Sequence, residues 1–179
     1  DILTTKGIIR TKNKGGFTII EKKDYIRGVA ECKYMMALWG KLYNRDILLK
    51  ANIIIDRCIT NNEDYMYNLF LSPQLNRVGV LEQPIYIYNK IRDQRASSNK
   101  CNDKYWKLFL GYLRQEAPKY GVPIEYSFMA RSYKIYMLLR NDTSLDLYKL
   151  GDEINDMRQV ESIKGMPLWQ KLTVFLCKH

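Results

Sequence analysis

A chain of 179 residues in which 12% are aromatic, 14 of those rings tyrosines, can bury a core without disulfides or metal, and this excludes a disordered chain despite 27% charged residues. No signal peptide is visible and no apolar run reaches the length of a membrane helix; the four cysteines (Cys32, Cys58, Cys101, Cys177) have no close pairs and the only histidine is His179, which excludes a paired zinc-ligand pattern. The formal charge of +10 is uneven, with 11 basic against 5 acidic residues over 1–50 and 4 against 4 over 151–179, an excess that suits solubility, a phosphate-bearing ligand, an anionic membrane surface or nucleic acid.

The chain starts inside what reads as a strand, Ile2-Leu3-Thr4, without an initiating Met, and reads as a piece of a longer protein. Lys12 to Gly16 is turn chemistry. Phe17 to Ile20 is a short extended run, and Thr18 with Glu21 has the spacing of a capping box opening a helix that runs to about Cys32. Met35, Leu38, Leu42, Ile47 and Leu48 follow helical spacing, which predicts two short helices broken near Trp39–Tyr43 and restarted at Asn44, a good N-cap. Ile53-Ile54-Ile55 is too short to predict a helix. Thr60 with Glu63 is a second capping box, predicting a helix of about Asn62–Leu71 that Pro73 ends. Val78–Val80 and Ile85–Tyr88 read as strands.

Residues 89–104 are polar and basic and read as a loop, beyond which the chain turns helical. Tyr105, Leu108, Phe109, Tyr112 and Leu113 form an amphipathic stripe. Phe128–Leu139 is apolar on most sides and predicts a central helix. Leu147, Leu150, Ile154 and Met157 mark a third helix. Pro167 suits the first position of a fourth, with Leu168, Trp169, Leu172, Phe175 and Leu176 on one face.

Three segments carry chemistry: Trp39-Gly40-Lys41-Leu42-Tyr43, then Glu63-Asp64, then Tyr86-Ile87-Tyr88 followed by Lys90, Arg92, Arg95 and Ser97-Ser98. Acidic residues at a helix start suit the positive end of the helix without any catalysis. A carboxylate facing a cleft can also take the proton of a sugar hydroxyl as its oxygen attacks. Trp39 can stack on a sugar ring or anchor the core, and Tyr86 and Tyr88 share one face of a strand as structural residues.

The order and the 25-residue gap from Trp39 to Asp64 resemble the second half of a family 2 glycosyltransferase, whose Trp-Asn-Lys-Leu-Tyr segment precedes an acidic pair and then a Tyr-rich strand. The resemblance covers about residues 1–98. Gly40 stands where the family has Asn, and Asn89 where it has Arg. The resemblance implies the acceptor-side half of a GT-A fold over 1–99 and a helical subdomain over 100–179, so an α+β chain, predominantly helical. It implies an inverting transfer from a nucleotide-sugar donor to a glycan or lipid-linked acceptor, with Asp64, beside Glu63, as general base. Trp39, Lys41, Tyr43, Lys90, Arg92, Arg95 and Ser97 would bind substrate. Such enzymes hold Mn2+ or Mg2+ on an Asp-x-Asp motif of their first half; this chain has none, so the fragment would bind no metal and be inactive alone. Relatives in bacteria build capsule, O-antigen or cell-wall polysaccharide at the cytoplasmic face of the inner membrane, which implies peripheral membrane contact and no nucleic-acid partner, and a surface once facing the missing half would favour self-association. The competing reading is a non-enzymatic basic helical module for nucleic acid or a protein partner, with aromatics interleaved among the cations of Lys104–Arg114.

Overall fold

The computed structural model describes residues 2–5, 16–34, 36–81, 101–141, 147–152, 154–155, 168, 171–173 and 175, the strand at 2–5 by its backbone. The fold is α+β with helix predominating. Its contacts gather into two compact units, one of residues 1–99 with 119–122, the other of 100–118 with 123–179.

The first unit is built on a four-stranded sheet of β1 (Ile2–Thr5), β2 (Phe17–Glu21), β3 (Leu42–Tyr43) and β4 (Arg77–Leu81), in the order β2-β4-β1-β3. β1 and β4 run parallel, and β2 and β3 flank them antiparallel. The register pairs Thr18 with Val80 and Ile20 with Val78, so these four share a face. Val78 and Val80 are fully buried there, against helix α1 (Lys22–Ala30), whose inner side is Tyr25, Ile26, Gly28, Val29 and Ala30. On the opposite face Phe17, Ile19 and Leu42 are exposed.

Helix α2 (Arg45–Ala51) buries no residue, and Asn44 caps it as its sequence predicts, the side-chain oxygen accepting from Asp46 N at 2.9 Å and Ile47 N at 3.4 Å. Helix α3 (Glu63–Leu71) buries Tyr65, Met66, Asn68, Leu69, Phe70 and Leu71, and Tyr65 donates its hydroxyl to Ala30 O at the end of α1, 3.0 Å away. A 3-10 turn, Ser72–Gln74, follows where Pro73 predicts the stop. Tyr120 completes the unit: its ring stacks on Phe70 at 4.8 Å, its hydroxyl bonds both N and O of Ile54, and its carbonyl accepts from Gln74 Nε2.

Three local expectations fail for identifiable reasons. Thr18 is held in β2 opposite Val80, so α1 begins only at Lys22 with Glu21 before it and no side-chain cap. Asn62, in the left-handed conformation at φ 62°, takes the position before α3 and leaves Thr60 outside it. Residues 36–38 are bent rather than helical, so the first of the two short helices is missing ahead of the expected break at Trp39–Tyr43, where Leu42 and Tyr43 pair with β1 and the loop's polar groups find partners on α3.

In the second unit, Asn102 caps α4 (Asp103–Glu116) by accepting from Tyr105 N at 3.0 Å. Its buried residues are Phe109, Leu110 and Leu113, while Leu108 is exposed, so the inner face lies about one position round from the predicted stripe. Helix α5 (Ile124–Asn141) packs on α4 and buries Ala130, Arg131, Ser132 and Ile135, with Phe128, Met129, Tyr133 and Tyr136 only half-buried. The 3-10 turn Leu147–Leu150 packs on α4 and buries Leu150; Ile154 is buried beyond it. Residues 168, 171–173 and 175 are helical, with Leu168, Leu172 and Phe175 exposed and Thr173 buried. Ile85–Tyr88, the loop from 89 to 100, Met157, Trp169 and Leu176 lie outside the described residues. Among the described residues no helix is long and apolar enough to cross a membrane.

Gly28 offers a direct test of the packing. A Cβ built there would collide with Cε2 of Tyr34, whose buried ring stacks on Tyr25 at 5.3 Å and would have to shift. Gly28→Ala is expected to destabilise the chain by roughly 1–3 kcal/mol, read as a lower urea midpoint; an unchanged midpoint would show that the ring does not sit over the helix.

Candidate active site

The site forms where the loop of residues 36–41 crosses the first two turns of α3. Glycine at position 40 has a local cause: its φ is 71°, in the left-handed region that glycine, and next to it asparagine, adopts most readily. The turn at Gly40 brings Lys41 back over the loop, and its ammonium donates to Ala37 O at 2.7 Å.

Asp64 lies in the first turn of α3, half-buried, and its Oδ2 accepts from Leu38 N at 3.3 Å. One turn further on is Asn68, only 2% exposed. Its Oδ1 accepts from Lys41 Nζ at 2.9 Å and from the Tyr43 hydroxyl at 3.1 Å. Its Nδ2 donates to Met36 O at 2.6 Å and to Asp64 O at 2.7 Å. Trp39 is half-buried on the same loop. Of the residues singled out in the sequence, Asp64, Lys41 and Tyr43 thus come together around a fourth, Asn68. Glu63 is exposed at the first position of α3. Lys90, Arg92, Arg95, Ser97, Tyr86 and Tyr88 lie outside the described residues.

Sequence reading passed over Asn68. The available signal was a polar residue on the apolar side of a short helix, among Tyr65, Met66, Leu69 and Phe70. Asparagine is a weak helix former, and a buried one needs partners for its whole amide.

Burial sets the electrostatics. It pushes the Lys41 ammonium from 10.5 down to about 7, the charge of Asp64 opposing the shift. It also holds the Tyr43 hydroxyl above the ordinary tyrosine range, with Tyr25, Asp64 and Tyr67 adding to the effect. At neutral pH Tyr43 is therefore a donor, while Lys41 divides between ammonium and amine. Among the described residues no three His, Cys, Asp or Glu side chains gather in a group that could hold a metal ion.

No protein-family model matches the chain, and no solved structure matches it. Over 70 residues it is 29% identical to the uncharacterized glycosyltransferase EpsJ of Bacillus subtilis (strain 168), a match taking in 39% of this chain and 20% of EpsJ. The matched stretch thus spans about a fifth of that relative's length. The likeness supports a general relationship to glycosyltransferases.

The displaced Lys41 titration has a stability consequence. Between about 7 and 10.5 the unfolded chain keeps a proton on Lys41 that the folded chain has released, so stability rises with pH across that window and gains nothing further below it. Urea midpoints measured from neutral pH to about pH 9 are expected to climb in the wild type, and Lys41→Met to remove that part of the slope.

Proposed function

We propose that these residues form the acceptor side of a glycosyltransferase site, transferring a sugar from a nucleotide-sugar donor to a glycan or lipid-linked acceptor with inversion. The observation that carries the reading is the half-buried Asp64 carboxylate, braced by Leu38 N beside the Trp39 loop, in a chain that shares a stretch of sequence with a glycosyltransferase. A sugar hydroxyl is a poor nucleophile until it loses its proton. Asp64 takes that proton as the oxygen attacks the anomeric carbon from the side opposite the departing nucleotide, and the carbon inverts. An ordinary carboxylate suffices, because the hydroxyl becomes acidic only as its bond to carbon forms.

Trp39 offers an aromatic face to the acceptor ring, and Lys41 offers an ammonium proton to one of its oxygens. The chemistry proposed for the described residues is proton removal and positioning, with contacts to the donor's diphosphate proposed for Lys90, Arg92 and Arg95. Peripheral contact with the inner face of a membrane belongs to the same reading; the net charge of +10 and the exposed Leu168, Leu172 and Phe175 support it.

The test is Asp64→Asn in the longest natural polypeptide that contains these 179 residues. The amide keeps an acceptor for Leu38 N but cannot take a proton. Turnover is expected to fall by about 10²–10⁴-fold, with the thermal midpoint nearly unchanged. Sugar transfer at the wild-type rate would overturn the proposal.

A further inference from the structure

We infer that Asn68 is a positioning residue of this site, its single buried amide holding the Lys41 ammonium and the Trp39 loop in register with the Asp64 carboxylate. The inference rests on the acceptor-side reading of Asp64 given above and adds a residue to it.

The geometry leaves the amide one orientation. Two backbone carbonyls, Met36 O and Asp64 O, lie 2.6 and 2.7 Å from one end of it, and carbonyls can be met only by an NH2 group. The oxygen must therefore face Lys41 Nζ at 2.9 Å and the Tyr43 hydroxyl at 3.1 Å, both donors. Two N–H groups and two lone pairs are all used, which is the full capacity of the side chain. Aspartate at this position would set a carboxylate against two carbonyls, and alanine would leave all four partners short.

At 2% exposed, Asn68 is too deep to touch an acceptor sugar, so its action passes through the groups it holds. Two of the three Lys41 ammonium protons go to Ala37 O and Asn68 Oδ1. Among the described residues the third has no acceptor, and Asp64 Oδ1 no donor once Oδ2 has accepted from Leu38 N, which leaves both to a ligand. A fixed donor beside a fixed carboxylate oxygen matches two neighbouring hydroxyls of a sugar, one to be held and one to be deprotonated. The charged group that acts on Lys41 is Asp64 from α3, and those that act on Tyr43 are Tyr25, Asp64 and Tyr67.

Nuclear magnetic resonance of the 179-residue chain tests the coupling without any assay of activity. In the wild type, the Asn68 side-chain amide signals and the Lys41 side-chain carbon signals are expected to shift together with one midpoint near 7, and the Asn68 shift is expected to vanish in Lys41→Met. Asn68→Asp, where it folds, is expected to raise the Lys41 midpoint by about one pH unit or more, since a carboxylate replaces a neutral acceptor. In the longest natural polypeptide, Asn68→Ala is expected to lower kcat by about 10²-fold with the KM for donor unchanged. Asn68 signals that ignore the Lys41 titration, or an unmoved midpoint in Asn68→Asp, would overturn the positioning role whatever Asp64 does. Undiminished transfer by Asp64→Asn would instead sink the acceptor-side reading, even with the two titrations coupled.

Discussion

A carboxamide buried in an apolar helix face must satisfy two donors and two acceptor sites, or lose the desolvation energy of each group left over. That constraint shapes the first unit around Asn68. Residues 36–41 have no regular secondary structure to pair their backbone, and a loop with unpaired carbonyls cannot lie half-buried against a helix. Asn68 takes the Met36 carbonyl, Asp64 takes the Leu38 N–H, and Lys41 folds over to take the Ala37 carbonyl. Beyond this clamp the chain is free to enter the sheet at Leu42 and Tyr43, and the Tyr43 hydroxyl returns to Asn68. The loop's conformation, the end of β3 and the first turns of α3 are set by one polar network.

The same network fixes the balance of charge. The charge of Asp64 favours the ammonium form of Lys41. Desolvation of the ammonium outweighs that attraction and brings its titration to neutrality, where Asn68 and Ala37 supply neutral oxygens in place of a second carboxylate. Near pH 7 the site therefore has two forms, with Lys41 as ammonium and as amine. An anionic or hydroxyl-bearing ligand meets a different field in each.

What could be read in advance follows the range of the interactions responsible. Signals that act within a few residues were legible: Asn44 capping α2, Pro73 closing α3, the β-branched pair Val78 and Val80 in a strand, and the helical periods of α4 and α5. Failures came where a distant partner outcompeted the local preference. Thr18 is shaped like a cap but is held opposite Val80, which lies 62 positions away in sequence. The apolar spacing through Leu38 and Leu42 suits a helix, but β1 and α3 take that backbone instead. At the site, Asp64, Lys41 and Tyr43 were visible by residue type and order. Asn68 was not, because its importance lies in four partners that only the folded chain assembles.

Tyr120 carries a consequence for anyone dividing this protein. It belongs to the first unit although nineteen residues of the second precede it, and it supplies the ring that covers Phe70 and two hydrogen bonds to Ile54. A fragment cut after residue 99 would keep every described strand and still expose the end of α3, the helix that bears Asp64 and Asn68, to water. The first compact unit is discontinuous in sequence, so a truncation that keeps its contacts has to graft the 119–122 turn back on or retain the chain that delivers it.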